Sequence, residues 1–187
     1  MKSFKPTSKS RRQMTVVTYK GVLSGDKPFK SLLSANKNRA GRNNAGRITT
    51  RHQGGGSKRR LRDVDFKYDK RDIPAKIETV EYDPYRTAFI GRALYADGAR
   101  RYVTLPKELK VGDSFVVGDN VPVKIGNRMP LGKIPSGTFI YNVELQAGAG
   151  ARIARSAGNY AEVVAHDAGY AQVKLPSTEI RKISERC

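Results

Sequence analysis

The chain has 187 residues and carries 36 Lys and Arg against 17 Asp and Glu, a formal net charge of +19, with a single cysteine. A hydrophobic content of 38% is thin for one large core and fits two small ones, and one cysteine excludes an internal disulfide framework or a zinc site built mainly on cysteine. No stretch approaches the roughly 18 apolar residues of a membrane span and the first residues lack the apolar core of a signal peptide, so the composition points to a soluble intracellular protein with no membrane partner.

The charge is segregated. Residues 1–72 hold a net +15 and residues 73–187 a net +4, so the first 72 residues read as a basic extension. Within it, residues 1–40 predict an extended arm with one short strand among the apolar groups at 16–19 and 31–33. Residues 41–62, GRNNAGRITTRHQGGGSKRRLR, contain no acid, and their only sizeable aliphatics are Ile48 and Leu61. Such a stretch cannot bury enough apolar surface to offset the entropy of ordering it, so a partner must supply the order.

From Ala75 the texture changes to short β-branched and aromatic runs punctuated by Gly, Pro and Asp, the pattern of small all-β barrels. In AKIETVEYDP the apolar phase slips by one residue after Ile77, which predicts a β-bulge near Glu78 and Thr79, and Asp83-Pro84 ends the strand. TAFIGRALYADGARRYVTLP reads as a hairpin whose Asp97-Gly98 suits a type I′ turn. PKELKVGD allows at most one helical turn before a strand at 114–118. Residues 119–137, with three prolines, read as a crossover between two barrels. TFIYNVEL, ARIARS, YAEVVAH, YAQVKLP and EIRKIS follow as strand-sized pieces. Asp167-Ala168-Gly169 suits a three-residue hairpin loop, and Ala171, Val173 and Leu175 form an inner face opposite Gln172 and Lys174.

Residues 41–62 carry the chemistry. Arg42, Arg47, Arg51, Lys58, Arg59, Arg60 and Arg62 can grip phosphates, the Arg forks bidentately, while the glycines let the backbone approach closely. Asn43, Asn44, Thr49, Thr50 and Gln53 add neutral donors and acceptors for sugar hydroxyls and base edges, which suits folded RNA. A membrane arm would present Trp, Phe or Leu on one face, and there is none. Arg152 and Arg155 in GAGARIARSAG repeat the combination of glycine and arginine in miniature, and Arg86 in EYDPYR belongs to the same set of candidate RNA contacts.

Four blocks, GRNNAGRITTRHQGGGSKRRLRDVDF, EYDPYRTAFIGRALYADGARRYVTLPKELKVGD, GNRMPLGKIPSGTFIYNVEL and RSAGNYAEVVAHDAGYAQVKLPSTEIRKIS, together resemble the universal large-subunit ribosomal protein two family along nearly the whole chain. The resemblance implies an all-β protein: an oligonucleotide-binding-type barrel at 73–120, then a Src-homology-3-type barrel at 121–187, preceded by the rRNA-binding extension at 1–72. It implies a structural constituent of the large ribosomal subunit, in a cytoplasmic or organellar ribosome. Its partners would be large-subunit rRNA, neighbouring ribosomal proteins and the small subunit across the interface, with a contribution to subunit association and tRNA accommodation near the peptidyl-transferase region. The family has His where this chain has Ser57, and Gly where it has Thr178, a replacement that predicts a different turn conformation. The family also continues past ERC into a glycine-rich basic tail, so no role at the catalytic centre is carried over.

Other residues read more plainly. His52 lies in the RNA-like stretch with no base or nucleophile in view, so it is an RNA contact and no catalytic residue is assigned. His166 reads as a barrel-rim histidine. Glu78, Glu81, Asp63, Asp65 and Asp69 read as ion-pair partners for Lys67, Lys70 and Arg71, and no metal or cofactor is expected. GGGSK lacks the spacing and preceding strand of a phosphate loop. Of Tyr82, Tyr85, Phe89, Tyr95, Tyr102 and Phe115, most must fill the first core, with Tyr85 expected to be the exposed one. A free tandem-barrel translation factor is the alternative, though it should lack so long a basic arm; an RNA-modifying enzyme would need a cofactor loop or a nucleophile and base.

Overall fold

Alternating β-branched and aromatic residues pair into two four-stranded antiparallel sheets, each closing over its own apolar cluster. The computed structural model describes residues 1–187 except Asp26 and Lys37. The first sheet has the order β7-β6-β5-β8, from β5 (Ala75–Glu81), β6 (Ile90–Tyr95), β7 (Arg100–Thr104) and β8 (Ser114–Phe115). The second has the order β12-β11-β10-β9, from β9 (Phe139–Ile140), β10 (Ala161–Asp167), β11 (Tyr170–Lys174) and β12 (Ile180–Ser184). The protein is thus nearly all-β, an oligonucleotide-binding-type barrel followed by a Src-homology-3-type barrel.

The first sheet curls around Ile77, Val80, Tyr95, Val103 and Phe115. Its register shifts between Ile77 and Thr79, opposite Ala93 and Arg92, so the bulge lies where the sequence predicts it. The bulge turns Glu78 toward two arginines, with Arg92 Nε and Arg100 Nε each 2.9 Å from its carboxylate. The Arg100 hydrogen bond, and then that from Arg92, holds the Glu78 carboxyl below its usual range. The second sheet encloses Leu131, Ala161, Val163, Ala171, Val173 and Ile183 and has its own register shift between Val163 and Ala165.

Two turns exchange the conformations that the sequence predicts for them. In the Asp97-Gly98 hairpin only Gly98 takes a positive φ, +83°, and Tyr95 N donates to Ala99 O, so the loop is a three-residue one with a bulge. In the other, Asp167 pairs directly with Tyr170, leaving a two-residue loop in which Ala168 and Gly169 both have positive φ. Pairing of the flanking strands outweighs the modest strain at Ala168. Thr178 likewise keeps a left-handed φ of 71°, with its N–H donating to Leu175 O. The glycine-type turn therefore survives the Thr, contrary to the changed turn expected from sequence.

The extension is more structured than an arm with one strand. It contains β1 (Lys2–Ser3) paired with β2 (Thr15–Val16), a four-residue turn of helix α1 (Lys9–Arg12), and β3 (Leu33–Ala35) paired with β4 (Arg60–Arg62). A third cluster, Val64, Ile90 and Tyr102 with Phe29, Leu32 and Phe66 against it, lays residues 29–35 and 60–66 on the first barrel. Tyr102 is fully buried; its hydroxyl accepts the Phe29 N–H at 2.9 Å and donates to Glu81 at 2.8 Å. Ser24 is tied to Val80 in both directions, its N–H donating to Val80 O and its hydroxyl accepting the Val80 N–H.

The barrels meet through polar groups. Asn142 Nδ2 donates to the Tyr68 hydroxyl at 3.0 Å and to Thr104 Oγ1. Arg128 lies over the Tyr68 ring, donates to Asn142 O and pairs with the buried Glu144 at 2.8 Å. Glu144 in turn accepts the N–H groups of Gly148 and Gly150. Burial raises the Tyr68 phenol pKa, so it remains a neutral hydroxyl in this network.

Two substitutions test these points. Thr178→Gly removes a β-branched residue from left-handed backbone and should stabilise the protein by about 1 kcal/mol, raising the melting temperature by roughly 2–4 °C. A lowered melting temperature would show that the threonine is not strained. Tyr102→Phe leaves the Phe29 N–H buried without its acceptor and should cost about 1–3 kcal/mol in urea unfolding.

Candidate nucleic-acid interface

Residues 40–53 close on themselves through short-range hydrogen bonds rather than a core. Gly41 O accepts the N–H groups of Thr49 and Thr50 at 2.8 and 3.1 Å and the Thr49 hydroxyl at 3.0 Å. Asn43 N donates to Arg47 O, Arg47 N donates back to Asn43 Oδ1, and Arg42 bridges to Ile48. Glycine is required at position 41: with φ +66°, a Cβ there would lie 2.3 Å from Thr50 O. The closed turn leaves Arg42, Asn44, Arg47, Thr50, Arg51 and His52 exposed around its perimeter, and Ile48 exposed as well. Asn43 and Thr49 are partly occupied in building the turn, so each offers less to a partner than its composition implied.

Past this turn the backbone is bare. A Cβ at Gly54 or Gly56 would meet nothing within 4 Å, and neither has a positive φ, so the folded protein does not itself demand glycine there. Lys58, Arg59 and Arg60 follow, all exposed. Arg59 stacks on Tyr85, 4.7 Å from the ring centroid, and donates to Pro84 O. Arg62 donates to Arg60 O, fixing its direction along β4.

Arg86 and Arg155, far apart in sequence, are brought together over Phe66, with Arg152 three residues before Arg155 on the same loop. The Arg155 guanidinium lies 3.5 Å from the Phe66 ring centroid and that of Arg86 5.1 Å. The Asp83–Arg86 turn positions Arg86 through a 2.6 Å pair with the fully buried Asp83, whose other oxygen accepts Tyr85 N. The loop carrying the other two is held against the first barrel by Ala151 N donating to Phe66 O at 2.7 Å and Ala157 N donating to Thr87 Oγ1. Partial burial, and then the charges of Arg86 and Arg152, lower the Arg155 pKa, though a guanidinium stays charged. Two guanidinium groups thus face one aromatic ring, with Arg152 close enough to act on Arg155 electrostatically and the buried Asp83 as the one carboxylate partner, that of Arg86.

The acids are arranged the other way. Asp65 and Asp69 both pair with Arg101, Lys70 pairs with Asp97, Arg71 with Asp119, and Glu78 with Arg92 and Arg100. The sequence neighbours Lys67, Lys70 and Arg71 are therefore not the main partners; the hairpin arginines are, because β7 runs beside residues 64–66. Among the described residues no carboxylate lies within ion-pair distance of Arg42, Arg47, Arg51, Lys58, Arg59, Arg60, Arg62, Arg152 or Arg155. Of the candidate cations only Arg86 is paired with a carboxylate among the described residues.

Some residues differ from their reading. Tyr82 is the exposed aromatic of the first barrel, at 44%, while Tyr85 is half-buried beneath Arg59. Tyr95, Tyr102 and Phe115 fill the core as expected. His166 bonds Glu185 through Nδ1 and Ile134 O through Nε2, tying β10 to the chain's last residues. Phe66 was not singled out from sequence; a lone aromatic inside the charged run RDVDFKYDK was the available signal.

Two family models match the chain: Ribosomal Proteins L2, RNA binding N-terminal domain, over residues 29–117, and Ribosomal Proteins L2, C-terminal domain, over residues 124–187. The first begins at Phe29, one of the residues that pack against the Val64, Ile90 and Tyr102 cluster.

Gly41→Ala isolates the turn from the rest of the fold. It should open residues 41–50 and weaken RNA binding about tenfold, while the thermal unfolding of the barrels stays within about 1 °C, because exposed turns contribute little to the cooperative core. Filter binding and a melting curve on the same preparation check both halves.

Proposed function

The chain belongs to the family of ribosomal proteins L2, and from that premise we propose that residues 41–62 and the arginines beside Phe66 are the surfaces that grip large-subunit rRNA. The coarse role follows from the family: a structural, RNA-binding component of the large ribosomal subunit. The observation that carries the finer reading is the separation of charge. Carboxylates neutralise the barrel arginines, while Arg42, Arg47, Arg51, Lys58, Arg59, Arg60 and Arg152 are exposed without a carboxylate partner among the described residues.

Mechanistically this is charge neutralisation combined with shape. Phosphates displace water and counterions from the exposed guanidinium groups, and the bare backbone at Gly54–Gly56 lets an RNA strand approach without side-chain interference. The barrels supply a stable platform, since their cores are closed without RNA. By holding rRNA segments together, the protein would support subunit association and tRNA accommodation, with neighbouring ribosomal proteins and the small subunit as further partners. The division into an extension to residue 72, a first barrel to 120 and a second beyond it is the working scheme for truncation.

Salt dependence is the test. With six phosphate contacts from Arg42, Arg47, Arg51, Lys58, Arg59 and Arg60 at ~0.7 each, log affinity for rRNA should fall against log salt with a slope of roughly −4. Changing all six to Gln should flatten most of that slope. An unchanged slope would move the binding surface to the barrels.

A further inference from the structure

Phe139 and Tyr160 meet edge to face, with ring centroids 4.9 Å apart and planes at 73°, yet remain 64% and 57% exposed. Phe139 is the most exposed aromatic residue among those described, and it sits on β9, an edge strand of the second sheet. Its neighbour Ile140 turns inward toward the second core, so the outward position of Phe139 is set by strand alternation and not by packing needs. A phenylalanine held in water contributes nothing to the core that encloses Ala161 and Val163.

Phe139 also lines a cavity of about 530 Å³ between the barrels. That volume lies within the ~300–1,000 Å³ usual for small-ligand sites. Leu131 and Val143 form its buried wall, and Val123 and Ile125 lie exposed at its edge. Two exposed lysines, Lys107 and Lys124, belong to the same lining and have no ion-pair partner among the described residues. The acids of the lining are Glu108, which is exposed, and Glu144, which is buried and already held by Arg128. The site thus combines an apolar wall, an exposed aromatic ring and two exposed lysines against one exposed acid.

We propose that this cavity takes an unstacked base of single-stranded RNA, with the base against Phe139 and the flanking phosphates on Lys107 and Lys124. An apolar peptide would match the wall and the ring and leave the lysines unused, whereas a nucleotide matches all three. The inference rests on the rRNA-binding role and adds a site of a different kind. The arginine surfaces read phosphate and are salt-dependent; a stacked base is held by a face-to-face contact that salt barely weakens. The edge-to-face contact between Tyr160 and Phe139 is present without RNA, so the platform is partly formed before RNA arrives.

The test uses the full chain bound to large-subunit rRNA, irradiated in the ultraviolet, with nucleotide adducts mapped by mass spectrometry. The expected result is an adduct on the peptide containing Phe139. Phe139→Ala should lower affinity at least fivefold at every salt concentration without changing the salt slope. Phe139→Leu, which keeps apolar bulk but not the ring, should bind as weakly as the alanine variant. Full affinity for the leucine variant would overturn stacking in favour of plain apolar contact, and an adduct-free peptide with unchanged affinity in both variants would overturn the site while leaving rRNA binding intact. Cross-linking of this peptide to another protein in assembled subunits would assign the cavity to a protein partner instead. Failure of the unsubstituted chain to bind rRNA would overturn this inference and the functional reading beneath it together.

Discussion

Like charges repel, and this chain must fold while carrying 36 basic side chains against 17 acidic ones. The structure meets that constraint by concentrating its acids. Glu78 takes two arginines, Arg101 is held by two aspartates, and Glu144 takes Arg128 between the barrels. Apart from the exposed Asp69, the acids of these pairs lie largely out of solvent, where a charge left alone would be costly. Most of the cations that remain are exposed on turns and strands, where their repulsion is screened and their hydration retained, Arg62 and Arg155 being the half-buried exceptions. Folding and polyanion binding therefore draw on different arginines, which is why a basic surface coexists with ordered cores.

Much of the fold is visible in the sequence because strand alternation and turn residues are local signals. The bulge after Ile77 shows as a slip in the apolar phase, and the inner face of β11 shows as Ala171 and Val173, continued past the strand by the partly buried Leu175. Turn details are less local. Asp97-Gly98 and Ala168-Gly169 both offer left-handed residues, but which register closes is decided by the strands on either side, so the two loop types were exchanged. The same holds at Thr178, where the sequence departs from glycine and the backbone does not.

The site was legible as composition but not as arrangement. Runs of Arg and Gly announce a polyanion partner at 41–62 and 151–155 without saying that Arg86 and Arg155 meet over one ring. That meeting depends on Phe66, which takes its place only because residues 64–66 run beside β7 and accept Ala151 N. Ion-pair partners were misassigned for the same reason: Asp65 and Asp69 lie near Lys67 and Lys70 in sequence, and the hairpin brings Arg101 closer. Tyr85 follows a turn-forming Asp-Pro, which favours exposure, but Arg59 covers its ring and leaves Tyr82 as the exposed aromatic.

The pairing of β3 with β4, backed by Phe29 on Tyr102, ties both ends of residues 36–59 to one face of the first barrel. A strand fastened at two points can extend no farther than half its contour length. For about 24 residues at ~3.4 Å each, the tip reaches no more than about 40 Å from its anchors. A free arm of equal length would sweep twice that radius and search a far larger volume. The double tether also makes the segment's length cheap to alter, since each doubling of a closed loop costs only about 0.6 kcal/mol. Insertions between Ala35 and Arg60 would then lengthen the reach into a polyanion without disturbing the barrel that holds it.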